Sequence, residues 1–429
     1  MKRTHVTRSL TGMVLGALAL SACQTPMTQL PAPGMMPRNP VQVGQMNAGA
    51  ASTIESRLLV GYQGALSQQK IQQLEQQTGG RFVRDIPQIG VAVFEGVQMR
   101  GDMSVLTRDP QITFAGPDQS PRRIVGEPQV VNTPPASRSG DPMLDQQWAL
   151  KAINVQQAWS AATGKGVKVA VVDTGVDLAH PDLQNNIIDG YNAEQPGTPP
   201  QDGHYHGTHV AGIIAAEANN GQGIAGIAPN AKIMPVRAIS RGSVPEVAAG
   251  IIWAADNGAR AINLSLGWDF PSASVEETIK RAVKYALDKN VVILAALSNS
   301  AQYNPRSVPD NLANKPGFEG VVGVGNVDVQ NRRQGAYGDW KSVSSPGTQI
   351  MSTLPNNRYG NLTGTSMATP AVAGLVALML ERNPNMSNVE VKQRLMGTAV
   401  DLGDPGYDPQ FGAGLISAPA ALGLSAQIF

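Results

Sequence analysis

The 429-residue sequence is poor in several residue types, and each scarcity excludes a class of protein. It has one cysteine, Cys23, so no disulfide can form within a single chain. Charged residues make up 15% of the chain and the formal net charge is +1, which gives nucleic-acid binding little support. The apolar run from Leu10 to Leu20 is too short to span a bilayer as a stable anchor.

That apolar run is part of an export leader. A basic segment, Met1 to Arg8, precedes it, and Leu20-Ser21-Ala22-Cys23 closes it. The closing tetrapeptide resembles a bacterial lipobox, which implies lipidation on Cys23 and cleavage before it; an ordinary signal peptide with an incidental cysteine is the alternative. We therefore expect a lipoprotein signal peptide at 1–22, export, and a precursor that is anchored to the cell envelope.

The next hundred residues divide into three parts. Residues 23–50 are rich in Pro, Gln, Met and Gly without helical or strand period, which predicts a flexible tether. Residues 51–117 have the pattern of a small α+β unit, and its expected elements are a strand at 56–62, a helix at 67–77 capped by Gly79-Gly80, a strand at 90–97, a short helix and a strand at 111–115. Residues 118–140, rich in Pro, Ser and Arg, predict an exposed processing linker, where Arg122-Arg123 is also a plausible site for another protease.

From residue 141 to 429 apolar strand patterns alternate with helical patterns. We expect strands at 167–172, 231–237 and 260–265, and helices starting at His206 and spanning 244–257 and 274–289. This alternation predicts an α/β fold with a mainly parallel sheet and helices on both faces. The length suits one large core and therefore one domain.

Three motifs in this region have the residue types of nucleophilic catalysis. Ser366 lies where the turn Gly364-Thr365 opens into a small, apolar helix, so its backbone N–H is at a helix N-terminus that favours negative charge. Asp173 ends an apolar run and is expected at the carboxyl end of a buried parallel strand. His206 opens another apolar helix. The order acid, imidazole, hydroxyl is that of subtilisin among the serine-hydrolase triads.

These motifs resemble the subtilisin-like serine proteases of the thermitase type, over about Asp141 to the C-terminus. Further matching segments are Asn263 to Gly267, Val291 to Asn299, Ser345-Pro346-Gly347 and Gly412 to Leu415. The resemblance implies a three-layer α/β/α fold and a serine endopeptidase acting on proteins and peptides. It also implies that Ser366 is the nucleophile, His206 the general base, Asp173 the residue that orients His206, and Asn299 an oxyanion-hole donor.

The same resemblance assigns substrate, propeptide and partner roles. Substrate backbone is expected to bind at Ser265, Leu266, Gly267, Ala296 and Leu297. Residues 51–117 resemble the ferredoxin-like subtilase propeptide, an inhibitor and folding assistant whose tail lies in the cleft; an autonomous interaction module is the alternative. Because Cys23 precedes any cut in the linker, maturation is expected to free a monomeric catalytic domain from its lipid anchor.

One departure from the family pattern concerns the oxyanion segment. The family usually has glycine before the asparagine and soon after it, whereas this chain has Ser298 and Ser300. Serine fits there only if the backbone avoids strained positive φ. Leu297, where the family tends to have a small residue, is expected to narrow the primary specificity pocket. A catalytically silent scaffold with the same fold therefore stays open as an alternative.

Two metal hypotheses also follow from the sequence. His204, His206 and His209 have the spacing of a metallohydrolase cluster, but no carboxylate lies between them and no His or Cys follows to complete a zinc site. Calcium is better supported, because two segments and one N-terminal acid resemble the family's strong calcium site. Its expected ligands are Asp141, Asp182, Ala218, Asn220, Gln222 and Ile224.

Overall fold

A computed structural model describes residues 56–98, 103–122, 126–132 and 140–425. The predicted signal peptide, the lipidation site Cys23 and the tether lie outside the described residues. Within the described ranges, no helix combines the length and the apolar character needed to cross a membrane. The described chain has an N-terminal lobe, residues 56–118, and a main lobe, residues 140–425.

The N-terminal lobe is a four-stranded antiparallel sheet with one helix. Its elements are β1 (Leu58–Tyr62), α1 (Gln68–Thr78), β2 (Arg81–Ile86), β3 (Val91–Glu95) and β4 (Ile112–Pro117), with a 3₁₀ helix at Met103–Arg108 where the second short helix is expected. The strand order β2-β3-β1-β4 is that of a ferredoxin-like unit. Helix α1 forms as predicted, because Ser67 caps its first turn and Gly79 ends it with φ of 67°.

The main lobe contains the other helices and most of the strands. The helices are α2 (Trp148–Ala152), α3 (Val155–Ala158), α4 (His206–Ala215), α5 (Val244–Asp256), α6 (Ala273–Asp288), α7 (Thr365–Arg382), α8 (Asn388–Gly397) and α9 (Ala418–Ala421). The strands, with β5 in the segment between the lobes, are β5 (Gln129–Val131), β6 (Lys168–Asp173), β7 (Tyr191–Asn192), β8 (Lys232–Arg237), β9 (Ala261–Leu264), β10 (Trp268–Asp269), β11 (Val292–Ala296), β12 (Ser307–Val308), β13 (Val321–Val327), β14 (Arg333–Gln334), β15 (Val343–Pro346), β16 (Ile350–Leu354) and β17 (Arg358–Leu362).

A mainly parallel sheet forms the centre of the main lobe. Its order is β7-β8-β6-β9-β11-β13-β14, with β15 also paired to β13, and only the β13–β14 pair is antiparallel. Alternate side chains of β6 enter two different cores. Val169 and Val171 pack in the core that contains α4 and α7, whereas Ala170 and Val172 pack in the core that contains α5 and α6. The predicted three-layer α/β/α fold is confirmed.

The two lobes are in direct contact through α5 and α6. Arg281 of α6 donates hydrogen bonds of 3.1 Å to the carbonyl oxygens of Ile89 and Gly90, and its guanidinium lies 4.9 Å from the Phe114 ring centroid. Arg57 of the N-terminal lobe contacts Glu246 of α5 at 3.0 Å. The sheet of the N-terminal lobe therefore covers the two helices on one face of the main lobe.

The chain that leaves the N-terminal lobe contacts the main lobe at two points. Asp118 is 3% exposed, and it accepts hydrogen bonds at the N-terminus of α5 from Ser243 Oγ (2.5 Å) and Val244 N (3.3 Å). Strand β5 pairs antiparallel with β17. The described part of the predicted linker is therefore held at two points, by a helix terminus and by a strand edge that are both distant in sequence, while residues 126–127 and 129–130 are exposed. Processing within 118–140 stays a prediction.

Candidate active site

Asp173 and His206 meet where β6 ends and α4 begins. His206 Nδ1 lies 2.8 Å from Asp173 Oδ1, and the two residues are 3% and 0% exposed. A Cβ on Gly207 would lie 2.0 Å from the carbonyl oxygen of Gly175, so only glycine lets the first turn of α4 approach the strand end this closely. The glycine after His206 thus brings the imidazole within hydrogen-bond distance of the acid.

The surroundings of His206 determine its protonation. Burial lowers the pKa of His206, but the charge and hydrogen bond of Asp173 and the charge of Asp202 raise it, so the net shift is upward from 6.5. Asp173 Oδ1 also accepts from Thr174 N at 2.8 Å, whereas its buried Oδ2 has no hydrogen-bond partner among the described residues. This acid is oriented to stabilise a positive charge on the ring.

Ser366 is the second residue of α7 and is hydrogen-bonded to the segment that follows β9. Its Oγ donates to the Ser265 carbonyl oxygen at 3.1 Å. Pro370 has no N–H to bond the Ser366 carbonyl four residues earlier, and the Ser265 hydroxyl donates to that carbonyl instead, at 2.8 Å. Ser366 and His206 line the same pocket.

Asn299 lies in that pocket, in the loop after β11. Its Oδ1 accepts a hydrogen bond of 2.9 Å from Thr365 N, which leaves Nδ2 as the amide atom available to the pocket. Of the three residues 298–300, all described, none has positive φ. Serine therefore replaces the usual glycines without the backbone strain that would displace Asn299.

The five residues expected to bind substrate surround the same pocket. Ser265, Leu266, Ala296 and Leu297 line it, and Gly267 borders it. Leu297 is 1% exposed and belongs to the hydrophobic core on the α5 and α6 side of the sheet. Its large side chain is therefore accommodated mainly by the core.

Sequence reasoning missed three charged residues in and behind this pocket. Arg122, from the segment between the lobes, lines the pocket beside Ser366 and contacts Asp269 (3.3 Å) and Asp310 (3.7 Å). The sequence suggested Arg122 only as a processing site. The one available signal for the acids was that Asp269 comes two residues after the cleft motif that ends at Gly267.

The expected calcium ligands meet in one place. The Asp141 carboxylate accepts from the N–H groups of Asn219 (2.9 Å) and Asn220 (3.2 Å). Asp182 accepts from the Asn220 side chain (2.7 Å) and from Ile224 N (3.0 Å). Burial and the nearby Asp141 charge raise the pKa of Asp182 to about 6, despite its hydrogen bonds.

The loop at 218–224 thus connects two acids whose charges repel each other, and Ala218 and Gln222 lie in the same loop. The oxygen-rich donor set of two carboxylates, an amide side chain and loop carbonyls fits a hard cation such as calcium.

The three clustered histidines do not share a site. His206 bonds Asp173, His209 Nε2 bonds the carbonyl oxygens of Ile350 (3.0 Å) and Gly360 (3.1 Å), and the His204 ring lies against Tyr205. Burial lowers the pKa of His209 to about 3. Among the described residues, no three His, Cys, Asp or Glu side chains are grouped as metal ligands.

Comparison with known proteins agrees with both lobes. The family described as "Subtilase family" matches residues 164–414, and the "Fervidolysin N-terminal prodomain" family matches residues 39–118. The first match covers more than half of the 429 residues, and the second includes the N-terminal lobe.

Individual relatives belong to the same group. A thermophilic serine proteinase from Bacillus sp. (strain AK1) is 43% identical over 264 residues, which cover 59% of this chain and 62% of the relative. Fervidolysin from Fervidobacterium pennivorans is 34% identical over 424 residues, covering 86% of this chain and 58% of the relative. The crystal structure of fervidolysin, described as a keratinolytic enzyme related to subtilisin, superposes with a TM-score of 0.71 at 32% identity.

That superposition covers 86% of this chain and 61% of the fervidolysin chain, so this protein spans about three fifths of these relatives' length. The family match and the shared fold nevertheless agree over the region that contains Asp173, His206 and Ser366. This chain therefore belongs to the subtilase family of serine proteases and has a fervidolysin-like prodomain.

Proposed function

We propose that this chain is the precursor of an exported serine endopeptidase that hydrolyses peptide bonds in proteins through an acyl-enzyme on Ser366. The observation that carries the proposal is that three groups line one pocket and a fourth, Asp173, is hydrogen-bonded to one of them. These are the Asp173–His206 pair, at 2.8 Å, the Ser366 hydroxyl at a helix N-terminus, and the Asn299 amide. That set supplies an oriented base, a nucleophile and an anion site.

In the proposed reaction Ser366 Oγ attacks the scissile carbonyl carbon while His206 Nε2 takes the hydroxyl proton. The hydroxyl bonds the Ser265 carbonyl in the resting structure, so it must turn towards Nε2 first. His206 then donates the proton to the leaving amine, and an acyl ester remains on Ser366. A water molecule, deprotonated by His206, hydrolyses that ester, and the proton returns to Ser366 as the acid product leaves.

Two donors would stabilise the negative oxygen of the tetrahedral intermediate. They are Asn299 Nδ2 and the backbone N–H of Ser366, which is among the unpaired N–H groups of the first turn of α7. Thr365 N orients the asparagine through its 2.9 Å bond to Oδ1. Loss of the Asn299 donor lowers turnover by about 10²–10³-fold in comparable sites.

A covalent label tests this function. The full chain is purified, incubated with a fluorophosphonate and weighed by intact-mass spectrometry, beside Ser366→Ala. We expect loss of the prodomain mass and one adduct in the wild type, and neither in the variant. A wild type that folds but is neither cut nor labelled would instead favour the silent scaffold.

We further propose that calcium stabilises the fold at the loop that connects Asp141 and Asp182. The proximity of two buried or half-buried carboxylates supports this, because a bound cation would neutralise their repulsion. A ligand that binds only the folded state raises stability by mass action. Chelation should lower the thermal midpoint of Ser366→Ala, and added calcium should restore it; an unchanged midpoint would contradict the proposal.

The third proposal concerns location and maturation. The lipobox resemblance at Cys23 supports a lipid anchor on the precursor. With the predicted boundaries 51–117, 118–140 and 141–429, a cut in the linker would leave Cys23 on the prodomain side. We expect Ser366→Ala to stay in the membrane fraction while the wild type sheds a soluble catalytic domain. Equal partitioning of the two would contradict this, and Cys23→Ala separates lipid anchoring from other membrane association.

A further inference from the structure

The pocket beside Ser366 holds an arginine side chain of the same chain. Arg122 N donates to the Gly267 carbonyl oxygen at 2.6 Å, and its Nη2 donates to the Ala296 carbonyl oxygen at 3.0 Å. The Arg122 side chain is only 15% exposed. A guanidinium therefore lies between the two segments that form the walls of the pocket.

Two carboxylates face that guanidinium. Asp269 Oδ1 lies 3.3 Å from Nη1 of Arg122, and Asp310 Oδ1 lies 3.7 Å from its Nη2. The small sheet of β10 and β12 brings the acids together: Asp269 is paired with Ser307 in that sheet, and Asp310 follows β12 by two residues. The acids are thus built into the wall of the pocket.

Asp310 is arranged to receive a cation. Its side chain has 0% exposure, and its Oδ2 accepts from Ser307 Oγ (2.8 Å) and Trp340 Nε1 (3.1 Å). Its Oδ1 is buried and has no hydrogen-bond partner among the described residues, and this is the oxygen that faces Arg122. Burying an incompletely bonded carboxylate is unfavourable unless a positive group compensates it.

Ser298 orients the second acid. Its Oγ donates to Asp269 Oδ2 at 3.2 Å, so the other oxygen of Asp269 is turned to Arg122. Ser298 is one of the serines that depart from the usual glycine pattern beside Asn299. Ser298 therefore has a local role, because it links the loop that contains Asn299 to an acid in the wall of the pocket.

We propose that this pocket selects a basic side chain of the substrate, arginine above lysine, with Asp310 and Asp269 as the specificity-determining residues, and that Arg122 fills it before maturation. The proposal rests on the endopeptidase function proposed above. The planar fork of arginine matches three acceptors, namely the Ala296 carbonyl and the two carboxylates, whereas lysine offers one compact charge. A leucine or phenylalanine in the pocket would leave Asp310 unpaired. A buried aspartate at the base of the equivalent pocket sets basic specificity in trypsin as well.

The path of the chain agrees with occupation of the cleft. Beyond Arg122, the Gly126 carbonyl oxygen accepts a hydrogen bond of 2.6 Å from the hydroxyl of Tyr205, the residue before His206. The segment that contacts the two acids at Arg122 therefore also contacts, at Gly126, the residue next to His206. In the precursor, an arginine of the chain itself thus lies in the pocket that would bind the substrate side chain.

Matched peptide substrates test the proposal. Mature enzyme, obtained by processing of the full chain, is assayed with fluorogenic peptides that differ only in the residue before the cut, Arg, Lys, Leu or Phe, and with casein as a general substrate. We expect kcat/KM for Arg to exceed that for Leu by about 10²-fold or more, with Lys between them. Asp310→Asn should reduce the Arg-to-Leu ratio at least about tenfold.

Asp269→Asn, at the more exposed position, should reduce the same ratio less, and it keeps the test valid if Asp310→Asn fails to fold. Equal cleavage of Leu or Phe peptides by a wild type that digests casein would overturn the specificity proposal and leave the proposed function intact. A processed enzyme that digests neither casein nor any peptide would overturn both.

Discussion

At the scale of single residues, the protonation of His206 determines the pH range of the proposed activity. Burial lowers the pKa of His206, and Asp173 and Asp202 raise it above 6.5 overall. Since the general base must be neutral, kcat/KM should fall as the pH falls through this raised pKa. The apparent pKa of the acid limb in the wild type should therefore lie above 6.5.

Removal of the Asp173 charge should shift the acid limb of the pH profile to lower pH. In Asp173→Asn the burial of His206 remains, while the main group that raises its pKa is lost. The apparent pKa should therefore decrease, and activity should drop by roughly 10⁴-fold. A sensitive fluorogenic substrate measured from about pH 5 to 9 reports both changes. Asp145→Asn, whose side chain is fully exposed, is the matched control and should keep the wild-type profile. An unshifted acid limb in Asp173→Asn would contradict the assignment.

At the scale of secondary-structure elements, the close contact between α4 and β16 determines where the histidine helix lies. A Cβ on Gly212 would lie 2.3 Å from Thr353 Oγ1 and 2.4 Å from Ser352 Oγ. Neither hydroxyl can easily move, because they donate to the α4 carbonyl oxygens of Thr208 (2.8 Å) and His209 (2.6 Å). Gly212→Ala should therefore lower the free energy of unfolding by about 1–3 kcal/mol.

A second helical glycine provides the control for this prediction. Apart from its own helical turn, no atom of the described residues would lie within 4 Å of a Cβ on Gly397, at the end of α8. Gly397→Ala should therefore raise stability by roughly 0.5–1 kcal/mol. Chemical denaturation of both variants in the Ser366→Ala background avoids self-digestion. Equal effects of the two substitutions would show that contact with β16 is not what requires glycine at 212.

At the scale of the whole molecule, a buried ion-pair cluster joins the prodomain to the catalytic lobe. Arg57 contacts Glu246 at 3.0 Å, Asp118 at 3.5 Å and Glu95 at 3.4 Å, and its own side chain is 10% exposed. Arg57→Ala would leave Asp118 buried without its cation and Glu246 with Arg84 alone, at 3.2 Å. Breaking a buried ion pair in this way costs about 2–5 kcal/mol in comparable interfaces. The cut prodomain should then dissociate faster, and the delay before activity appears should shorten.

Arg81 is the matched control on the same sheet, since its side chain is 77% exposed and lies 3.8 Å from Glu95. Such an exposed pair contributes little, so Arg81→Ala should leave the delay unchanged. The delay is measured with a fluorogenic peptide and normalised to active sites titrated with a fluorophosphonate. An Arg57→Ala delay equal to that of the wild type would show that this cluster does not hold the prodomain.

Sequence reasoning was most reliable where the causes are local. The apolar run before Asp173 predicted β6 to within a residue, and helix α7 ends before Pro384 as expected. Caps and glycines likewise predicted α1, because Ser67 and Gly79 act within one turn of the helix they bound. The contacts of Asp118 and of β5 with the main lobe were not predictable, since their partners at Ser243 and on β17 are more than a hundred residues away.

The sequence by itself determined the order of the elements, the family, and the identity of Asp173, His206, Ser366 and Asn299 as candidate site residues, because each lies in a short motif at an element boundary. Only the tertiary structure decided which side chains share a pocket. No local signal assigns Arg122 or Asp310 to the pocket, and Asp269 has only its position two residues after Gly267. The three meet because β10 pairs with β12 while the segment after the prodomain enters the cleft. Specificity of this kind depends on contacts between segments far apart in the chain, and such contacts exist only once the core has brought those segments together.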